Sequence, residues 1–145
     1  MIASGFHHEI RVGWSDCDPA NIAYTGRIPD FALEAIDVWW EHHLGHGWYQ
    51  INRDLGFGTP FVHLSIDFRK PITPDHRLTC VVNPNKLGTT SVGFNVMGYQ
   101  DETLCFEGNF VCVFVKAPSM QKIAAPEHVE AIIRPLLENQ ENVTC

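Results

Sequence analysis

The chain has 145 residues, of which 45% are hydrophobic and 19% are charged, a composition typical of one globular domain rather than a disordered tail. Asp and Glu total 17 against 10 Lys and Arg, which gives a formal net charge of −7. That balance argues against binding to nucleic acid or to an acidic membrane surface, because both require a basic face. We therefore expect residues 1–145 to form a single domain.

The N-terminal part of the sequence predicts one strand and two helices. Weak alternation over residues 7–14 indicates a strand, and a turn-rich loop follows at residues 15–21. Pro29 suits the first turn of a helix, since its missing N–H has no partner there, and Gly45 suits the end of that helix. The apolar residues between them are distributed over nearly the whole circumference of the helix, which predicts a long helix buried on several sides. A shorter helix is expected over residues 48–55.

From Gly58 onward the hydrophobic pattern changes to a period of two residues, which predicts strands. Asp101 and Glu102 indicate a tight hairpin turn between the last two of them. A short amphipathic helix is expected at about residues 126–137. The predicted strands are Thr59–Lys70, Arg77–Asn83, Thr89–Gln100 and Thr103–Lys116. Together with the first strand they predict an α+β architecture, in which a five-stranded antiparallel sheet packs on one long helix.

The sequence also indicates a compartment. No apolar run approaches the ~20 residues that span a bilayer. The first residues lack the basic start and the apolar stretch of a secretory signal. Five cysteines without CxxC spacing are typical of reduced thiols in the cytoplasm. We therefore expect a cytoplasmic protein with no membrane partner.

The densest chemistry lies in the loop before the long helix, where Asp16, Cys17, Asp18 and Pro19 follow one another. Unpaired N–H groups at a helix N-terminus polarise a carbonyl oxygen, while a nearby carboxylate attacks the carbonyl carbon or activates water. The alternative is that one or both aspartates only cap the turn. Cys17 is a poor candidate nucleophile, because the two flanking acids disfavour its thiolate.

Other candidate residues carry weaker signals. His42 and His46 have the spacing of zinc ligands on a helix, but no third ligand follows, so we expect a solvated helix end and no metal site. His63 lies on a predicted strand and is expected at the surface or at an interface. Gly56 and Gly58 lack the third glycine of a dinucleotide site, so a turn is expected there.

Three segments resemble the 4-hydroxybenzoyl-CoA thioesterase family, whose members have the hotdog fold. Residues 16–24, DCDPANIAY, resemble the family segment DCDPAGIV-aromatic, with Asn21 where the family usually has glycine. Residues 58–62, GTPFV, look like the start of the family's second strand, and residues 86–92, KLGTTSV, are similar to a turn common in the wider family. The order of elements also fits over roughly residues 6–117.

The resemblance implies an acyl-CoA thioesterase with the hotdog fold, an antiparallel five-stranded sheet wrapped around one long buried helix. Asp18 matches the catalytic aspartate of the family. Tyr24 and Thr25 fall at the helix start as oxyanion and substrate-binding residues, and the Thr25 N–H is the one that points at the thioester oxygen. Thr59 falls where the family lines its acyl pocket, near the subunit interface.

For the coenzyme A part of the substrate, Lys86 is the best-placed residue by resemblance, and Arg69 and Lys70 are weaker candidates. The implied hydrolysis needs no metal and no cofactor, and coenzyme A enters only as part of the substrate and product. The family role leaves open whether Asp18 attacks the thioester directly or acts as a general base.

The acyl group is expected to be aromatic, 4-hydroxybenzoyl or similar, with a short or medium aliphatic chain as the alternative. Two other functions stay open: a hydratase or dehydratase, and a non-catalytic protein that binds acyl thioesters. A hydratase needs a histidine at the helix start, and none occurs between His8 and His42. Four aromatic side chains are available for an acyl pocket or, equally, for a plain core: Trp14, Tyr24, Phe57 and Phe61.

The strand predicted over residues 59–70 also indicates an oligomer. It is apolar along much of its length, and as an exposed edge it would invite aggregation. Pairing across a two-fold axis would bury that edge and bring Thr59 of one subunit toward the Asp18 loop of the other. We therefore expect a homodimer, or a homotetramer built from two such dimers.

Overall fold

The computed structural model describes residues 1–143, with side chains through Gln140, and confirms the predicted antiparallel sheet with a long helix packed against it. The helices are α1 (Arg27–Leu44), α2 (Trp48–Gln50, continued by a π-helical turn Ile51–Leu55) and α3 (Glu127–Val143). The strands are β1 (Phe6–Ile10), β2 (Phe57–Gly58), β3 (Phe61–Phe68), β4 (Leu78–Leu87), β5 (Ser91–Gln100), β6 (Thr103–Val113), β7 (Val115–Lys116) and β8 (Gln121–Lys122).

Helix α1 begins and ends close to where the sequence predicts. Gly26 precedes it, Pro29 lies in its first turn, and Gly45 closes it in the left-handed conformation, with φ of 80°. Glycine adopts that conformation without a steric penalty, which explains why the helix ends there. The prediction of burial on several sides is wrong, because the buried residues recur every three or four positions and form one broad face: Ile28, Phe31, Ala32, Ala35, Ile36, Trp39 and Trp40.

The main sheet has the strand order β1-β4-β5-β6-β3, and every neighbouring pair is antiparallel. Asp101 and Glu102 join β5 to β6 in the predicted hairpin, and their φ values of 49° and 67° are those of a tight turn that follows the twist of the strands. Strand β3 lies at the edge, with β6 on one side and no strand on the other among the described residues.

The core lies between α1 and the face of the sheet that α1 covers. The ring of Phe94 on β5 meets Trp39 edge to face, with ring centroids 4.9 Å apart, and meets Trp40 at 6.0 Å. Such aromatic pairs add about 0.5–1.5 kcal/mol each beyond their burial. Helix α3 covers a further part of the core with Val129 and Ile133, both fully buried.

Several predicted boundaries are wrong. Strand β1 ends at Ile10 rather than residue 14, because the Asp16 carboxylate accepts a hydrogen bond from the Gly13 N–H and the chain turns there. The C-terminal helix runs to Val143 rather than to about residue 137, and Gln140 donates a hydrogen bond to the Pro84 carbonyl that attaches its last turns to β4.

The sequence did not predict a second, small sheet, in which β7 pairs with both β2 and β8. It arises where the strand expected over residues 103–116 divides after Val113, since Val115 and Lys116 pair with β2 and β8 instead of with β5. Within the described residues, no helix has the length and apolar character needed to cross a membrane.

We expect Gly98→Ala to lower the free energy of unfolding by about 1–3 kcal/mol, the usual cost of overpacking a core. Gly98 on β5 lies opposite Phe106 on β6, and a Cβ at Gly98 would overlap the fully buried Phe106 ring. Urea denaturation measures the change. Gly93→Ala is the matched control on the same strand, because its Cβ would meet mainly the movable end of the Asn85 side chain. Equal losses in the two variants would contradict this account of the core.

Candidate active site

The loop before α1 is closed on itself by main-chain hydrogen bonds. The Asp18 N–H donates to the Ile22 carbonyl at 3.0 Å, and the Asn21 N–H donates to the Asp18 carbonyl at 2.9 Å. Asn21 has a φ of 64°, in the left-handed region that glycine and asparagine adopt most readily. This explains how asparagine can stand at a position where the resembling family has glycine. The turn holds Asp18 in a fixed place.

The two oxygens of the Asp18 carboxylate have different environments. Oδ1 accepts a hydrogen bond from the Ala20 N–H at 2.8 Å, so Asp18 does cap its turn, as the alternative interpretation expected. Oδ2 accepts no hydrogen bond from any described residue, and the side chain is only half-buried. One oxygen therefore orients the group, and the other is free to meet a substrate or a water molecule.

Asp16, in contrast, is fully engaged in structural contacts. Its Oδ2 accepts the Gly13 N–H at 2.9 Å, and its Oδ1 lies 3.2 Å from the guanidinium Nε of Arg27. Arg27 also lies 3.5 Å from Asp30. Asp16 therefore ties the turn before the loop to the first turn of α1, and its contacts differ from those of Asp18.

The start of α1 leaves main-chain donors unpaired. The Arg27 and Ile28 N–H groups donate to the carbonyls of Tyr24 and Thr25, and the Tyr24 N–H donates to the Asp16 carbonyl. Within residues 1–143, the N–H groups of Thr25 and Gly26 have no acceptor. Unpaired donors at a helix N-terminus carry partial positive charge and suit a carbonyl oxygen that gains negative charge.

Two neighbouring clefts share this backbone as a wall. The first, which we name the Asp18 cleft, has a volume of about 520 Å³ and is lined by Asp18, Tyr24, Gly26 and Arg27, among others. The second, the Thr25 pocket, has about 280 Å³ and contains Thr25 with the exposed residues Arg69 and Lys70. Asp18 lines the first cleft and Thr25 lines the second, and residues 24–26 contribute to both.

Thr59 lies elsewhere in the chain. It lines a cavity of about 400 Å³ with Leu33, Trp48 and Phe61, which we name the Thr59 cavity. Its hydroxyl is buried and has no hydrogen-bond partner among the described residues, and the same is true of the Trp48 indole N–H. The Thr25 pocket includes Phe68, at the other end of β3, and the eight residues of that strand span about 26 Å.

Lys86 lies at the same end of the sheet as Thr59. It is exposed on β4 and pairs with Gly93 of β5. The neighbouring residue Val92 pairs with Cys112 of β6, and Cys112 pairs with Phe61 at the start of β3. The three predicted coenzyme A residues are therefore divided between the two ends of the sheet, with Arg69 and Lys70 beside Thr25 and Lys86 at the far end.

The structure gives little support for a functional role of the weaker candidate residues. Cys17 is half-buried, and its thiol donates to the Gly13 carbonyl at 3.6 Å. Burial raises the pKa of the Cys80 and Cys112 thiols, so neither is a ready nucleophile. His63 is exposed on β3. No group of three or more His, Cys, Asp or Glu side chains within the described residues is placed to hold a metal ion.

The aromatic candidates divide between surface and core. Trp14 and Tyr24 are 75% and 59% exposed. Phe57 is buried against Phe114 and His128. The Phe61 ring lies 5.5 Å from the Trp48 ring beside the Thr59 cavity.

A larger cavity, which the sequence did not predict, lies at the C-terminal end of α1. It has about 710 Å³ and is lined by Phe6, Trp39, His42 and His43, among others. Burial, and secondarily the adjacent His42, lower the pKa of His43, which favours its neutral form. No carboxylate or thiol lines this cavity within the described residues, so the Asp18 cleft is the better candidate for hydrolysis despite its smaller size.

Comparison with known proteins gives a family match and several structural neighbours. The model of the thioesterase-like superfamily matches residues 12–133. The structure of a thioesterase superfamily protein from Jannaschia sp. CCS1 is 50% identical, covers 92% of this chain and 94% of its own, and has a TM-score of 0.90. No curated protein matches the sequence significantly.

Two more distant structures share the fold. A 1,4-dihydroxy-2-naphthoyl-CoA thioesterase from Synechocystis is 23% identical, with 88% of this chain and 94% of the other covered and a TM-score of 0.79. A gentisyl-coenzyme A thioesterase is 18% identical, with 86% and 99% covered and a TM-score of 0.78.

We expect Asn21→Val to lower the free energy of unfolding by about 1–3 kcal/mol, because a β-branched residue is strained at a φ of 64°. Asn21→Gly is the matched control and should be nearly neutral, since glycine adopts this conformation freely. Urea denaturation of the three proteins measures both changes. A Val variant as stable as the Gly variant would contradict the left-handed geometry of the loop.

Proposed function

We propose an acyl-CoA as the substrate of this chain, which belongs to the thioesterase-like superfamily and is a thioester hydrolase. The observation that carries the proposal is the Asp18 loop. It presents a fixed carboxylate with one free oxygen beside a helix N-terminus that has unpaired N–H groups. Hydrolysis of a thioester requires these two elements, a nucleophile or base and a donor for the developing oxyanion.

In the proposed reaction, the thioester carbonyl oxygen accepts a hydrogen bond from the Thr25 N–H at the start of α1. The free Oδ2 of Asp18 then either attacks the carbonyl carbon or removes a proton from an attacking water. Direct attack gives an acyl-aspartyl anhydride, which water then hydrolyses to the free acid and the Asp18 carboxylate. Coenzyme A leaves as the thiol, and no cofactor takes part. After a single turnover in ¹⁸O-labelled water, label recovered in the Asp18 carboxylate would exclude a pure general-base role.

For the acyl group we favour an aromatic ring, 4-hydroxybenzoyl or a related acid. The naphthoyl-CoA and gentisyl-CoA thioesterases that share the fold act on aromatic acyl groups, as their names state. The Thr59 cavity supports the same choice, because Trp48 and Phe61 give it an aromatic wall and about 400 Å³ of space. A panel of aromatic and aliphatic acyl-CoA substrates tests this choice.

We further propose that the working protein is a homodimer that pairs β3 with its copy. On this edge strand Val62 and Phe68 are 62% and 56% exposed, and Leu64 is also exposed. A two-fold axis through antiparallel β3 strands places the Phe61 end of one copy beside the Phe68 end of the other. That pairing brings the Thr59 cavity of one subunit to the Thr25 pocket of its partner and completes two shared sites.

Asp18→Asn is expected to lower kcat/KM for the best acyl-CoA by at least ~100-fold, the usual contribution of a catalytic acid–base group. The Asn side chain can still accept the Ala20 N–H, so the loop should stay folded. Thiol release measures the rate. Asp16→Asn is the control and should lose much less, since its contacts are structural. Near-wild-type turnover by the Asp18 variant would reject its catalytic role, and a wild type that releases no thiol from any acyl-CoA would reject the proposed function.

Sedimentation equilibrium at low micromolar concentration should give a mass of about 33 kDa, twice the 16.4 kDa of one chain. Leu64→Lys should shift the protein toward the monomer, because it places charges along the proposed seam. Tyr49→Lys is the matched control, since Tyr49 is also exposed but lies on α2. A fully active wild-type monomer would contradict both the dimer and the shared site.

The shared site has a separate test. A Thr59→Trp variant should be inactive because the larger side chain fills the cavity. Random mixing of Asp18→Asn and Thr59→Trp subunits should recover about a quarter of the wild-type activity, since half of the dimers then contain one intact site. No recovery would place the two residues in the same subunit's site.

A further inference from the structure

A cleft beside the turn that precedes Asp18 combines an exposed tryptophan with two arginines. It has a volume of about 400 Å³, and we name it the Trp14 cleft. Its lining is Arg11, Val12, Gly13, Trp14, Pro74, Asp75, His76 and Arg77. None of the residues that the sequence assigned to coenzyme A lies in it.

Trp14 is unusual among the four tryptophans of the chain. Trp39 and Trp40 are each 1% exposed and Trp48 is half-buried, whereas Trp14 is 75% exposed. The Trp14 ring has no aromatic or cationic partner among the described side chains. Its indole therefore contributes little to the core, and a flat exposed indole is a surface on which a nucleobase stacks favourably.

The two arginines of the cleft are available for an anion. Arg11 forms no ion pair with any described residue, and Arg77 has one loose contact, with Nε 3.9 Å from the Glu9 carboxylate. By comparison, Arg53 and Arg134 lie within 3 Å of carboxylates. Asp75 is the one acid in the lining, and its carboxylate accepts a hydrogen bond from the Thr73 hydroxyl. Guanidinium groups bind phosphate in a bidentate manner.

The pairing of β1 with β4 creates this combination. Ile10 and Leu78 are cross-strand partners, so Arg11 just after β1 and Arg77 just before β4 meet at one end of the sheet. This meeting of two arginines matters for substrate binding. Because the chain has a net charge of −7, it must bind a polyanionic substrate through a few local cations.

We propose that the Trp14 cleft binds the nucleotide end of coenzyme A, with adenine stacked on Trp14 and phosphate groups held by Arg11 and Arg77. This inference rests on the proposed acyl-CoA substrate. The distance fits, since the four residues from Trp14 to Asp18 span at most about 14 Å, a gap that an extended pantetheine arm can cross. The nucleotide site therefore lies at the Asp18 end of the sheet, away from Lys86 of the same chain.

Paired substrates test the proposal by kinetics. The best acyl group is presented both as its coenzyme A thioester and as its N-acetylcysteamine thioester, which lacks the nucleotide. Arg11→Ala and Arg77→Ala should each raise KM for the coenzyme A thioester about 10-fold, the worth of a charge-assisted hydrogen bond, with kcat unchanged. Neither variant should change the kinetics of the short thioester. Arg134→Ala, an exposed arginine on α3, is the matched control and should change neither substrate.

A binding experiment tests the cleft without catalysis. Adenosine 3′,5′-bisphosphate should quench the tryptophan fluorescence of the wild type saturably, and the quenching should disappear in Trp14→Leu. By calorimetry, Trp14→Phe should retain most of the affinity for the bisphosphate because a phenyl ring still stacks, whereas Trp14→Leu should lose about 10-fold.

The outcomes separate this inference from the proposed function. If the wild type hydrolyses acyl-CoA but the arginine variants affect both thioesters equally, or neither, the Trp14 cleft is not the nucleotide site. A rise in KM confined to Lys86→Ala would likewise overturn it. If the wild type hydrolyses no thioester, the proposed function fails, and bisphosphate binding that depends on Arg11, Trp14 and Arg77 still decides whether the cleft binds the nucleotide.

Discussion

The packing of α1 against the sheet is the interaction on which the candidate site depends. Trp39 and Trp40 fix the C-terminal half of the helix on Phe94, and Ile28 and Phe31 are buried near its first turn. A helix held along its length also holds the N–H groups at its start, and catalysis of thioester hydrolysis requires donors that do not move as charge develops. The loop before the helix is tied to this frame, because the Ala23 N–H donates to the Ile72 carbonyl and the Asp16 carboxylate contacts Arg27.

The second constraint is the edge of the sheet at β3. A strand that exposes apolar side chains and unpaired main-chain groups is a liability in a lone subunit, and pairing with a copy removes it. In the proposed dimer, the same pairing would explain why one chain keeps Asp18 and the proposed acyl cavity about a strand's length apart. The contact that protects the edge would then also complete the proposed site. The buried hydroxyl of Thr59, which has no hydrogen-bond partner among the described residues, lies near the start of this edge strand.

The sequence predicts those features that depend on neighbours along the chain. Pro29 and Gly45 mark the ends of α1 by local backbone geometry, and Asp101 with Glu102 marks the hairpin by its need for positive φ. Asp18 could be proposed because it lies in a contiguous motif, whereas the contacts of Asp16 with Gly13 and Arg27 are visible only in the structure. The cleft formed by Arg11, Trp14 and Arg77 could not be identified, because its residues meet only through the β1–β4 register. The end of β1 was misplaced for a similar reason, since the hydrogen bond between Asp16 and Gly13 overrides the weak alternation of apolar residues.

The most direct test of the central claim is a crystal structure of the Asp18→Asn protein with an unreacted aromatic acyl-CoA. The account predicts the thioester carbonyl oxygen within hydrogen-bond distance, about 2.7–3.1 Å, of the Thr25 N–H. It also predicts the side chain of residue 18 beside the carbonyl carbon and the acyl ring in a cavity next to Thr59 of the neighbouring subunit. A thioester bound elsewhere, for example in the cavity beside His42 and His43, would contradict the assignment of the site.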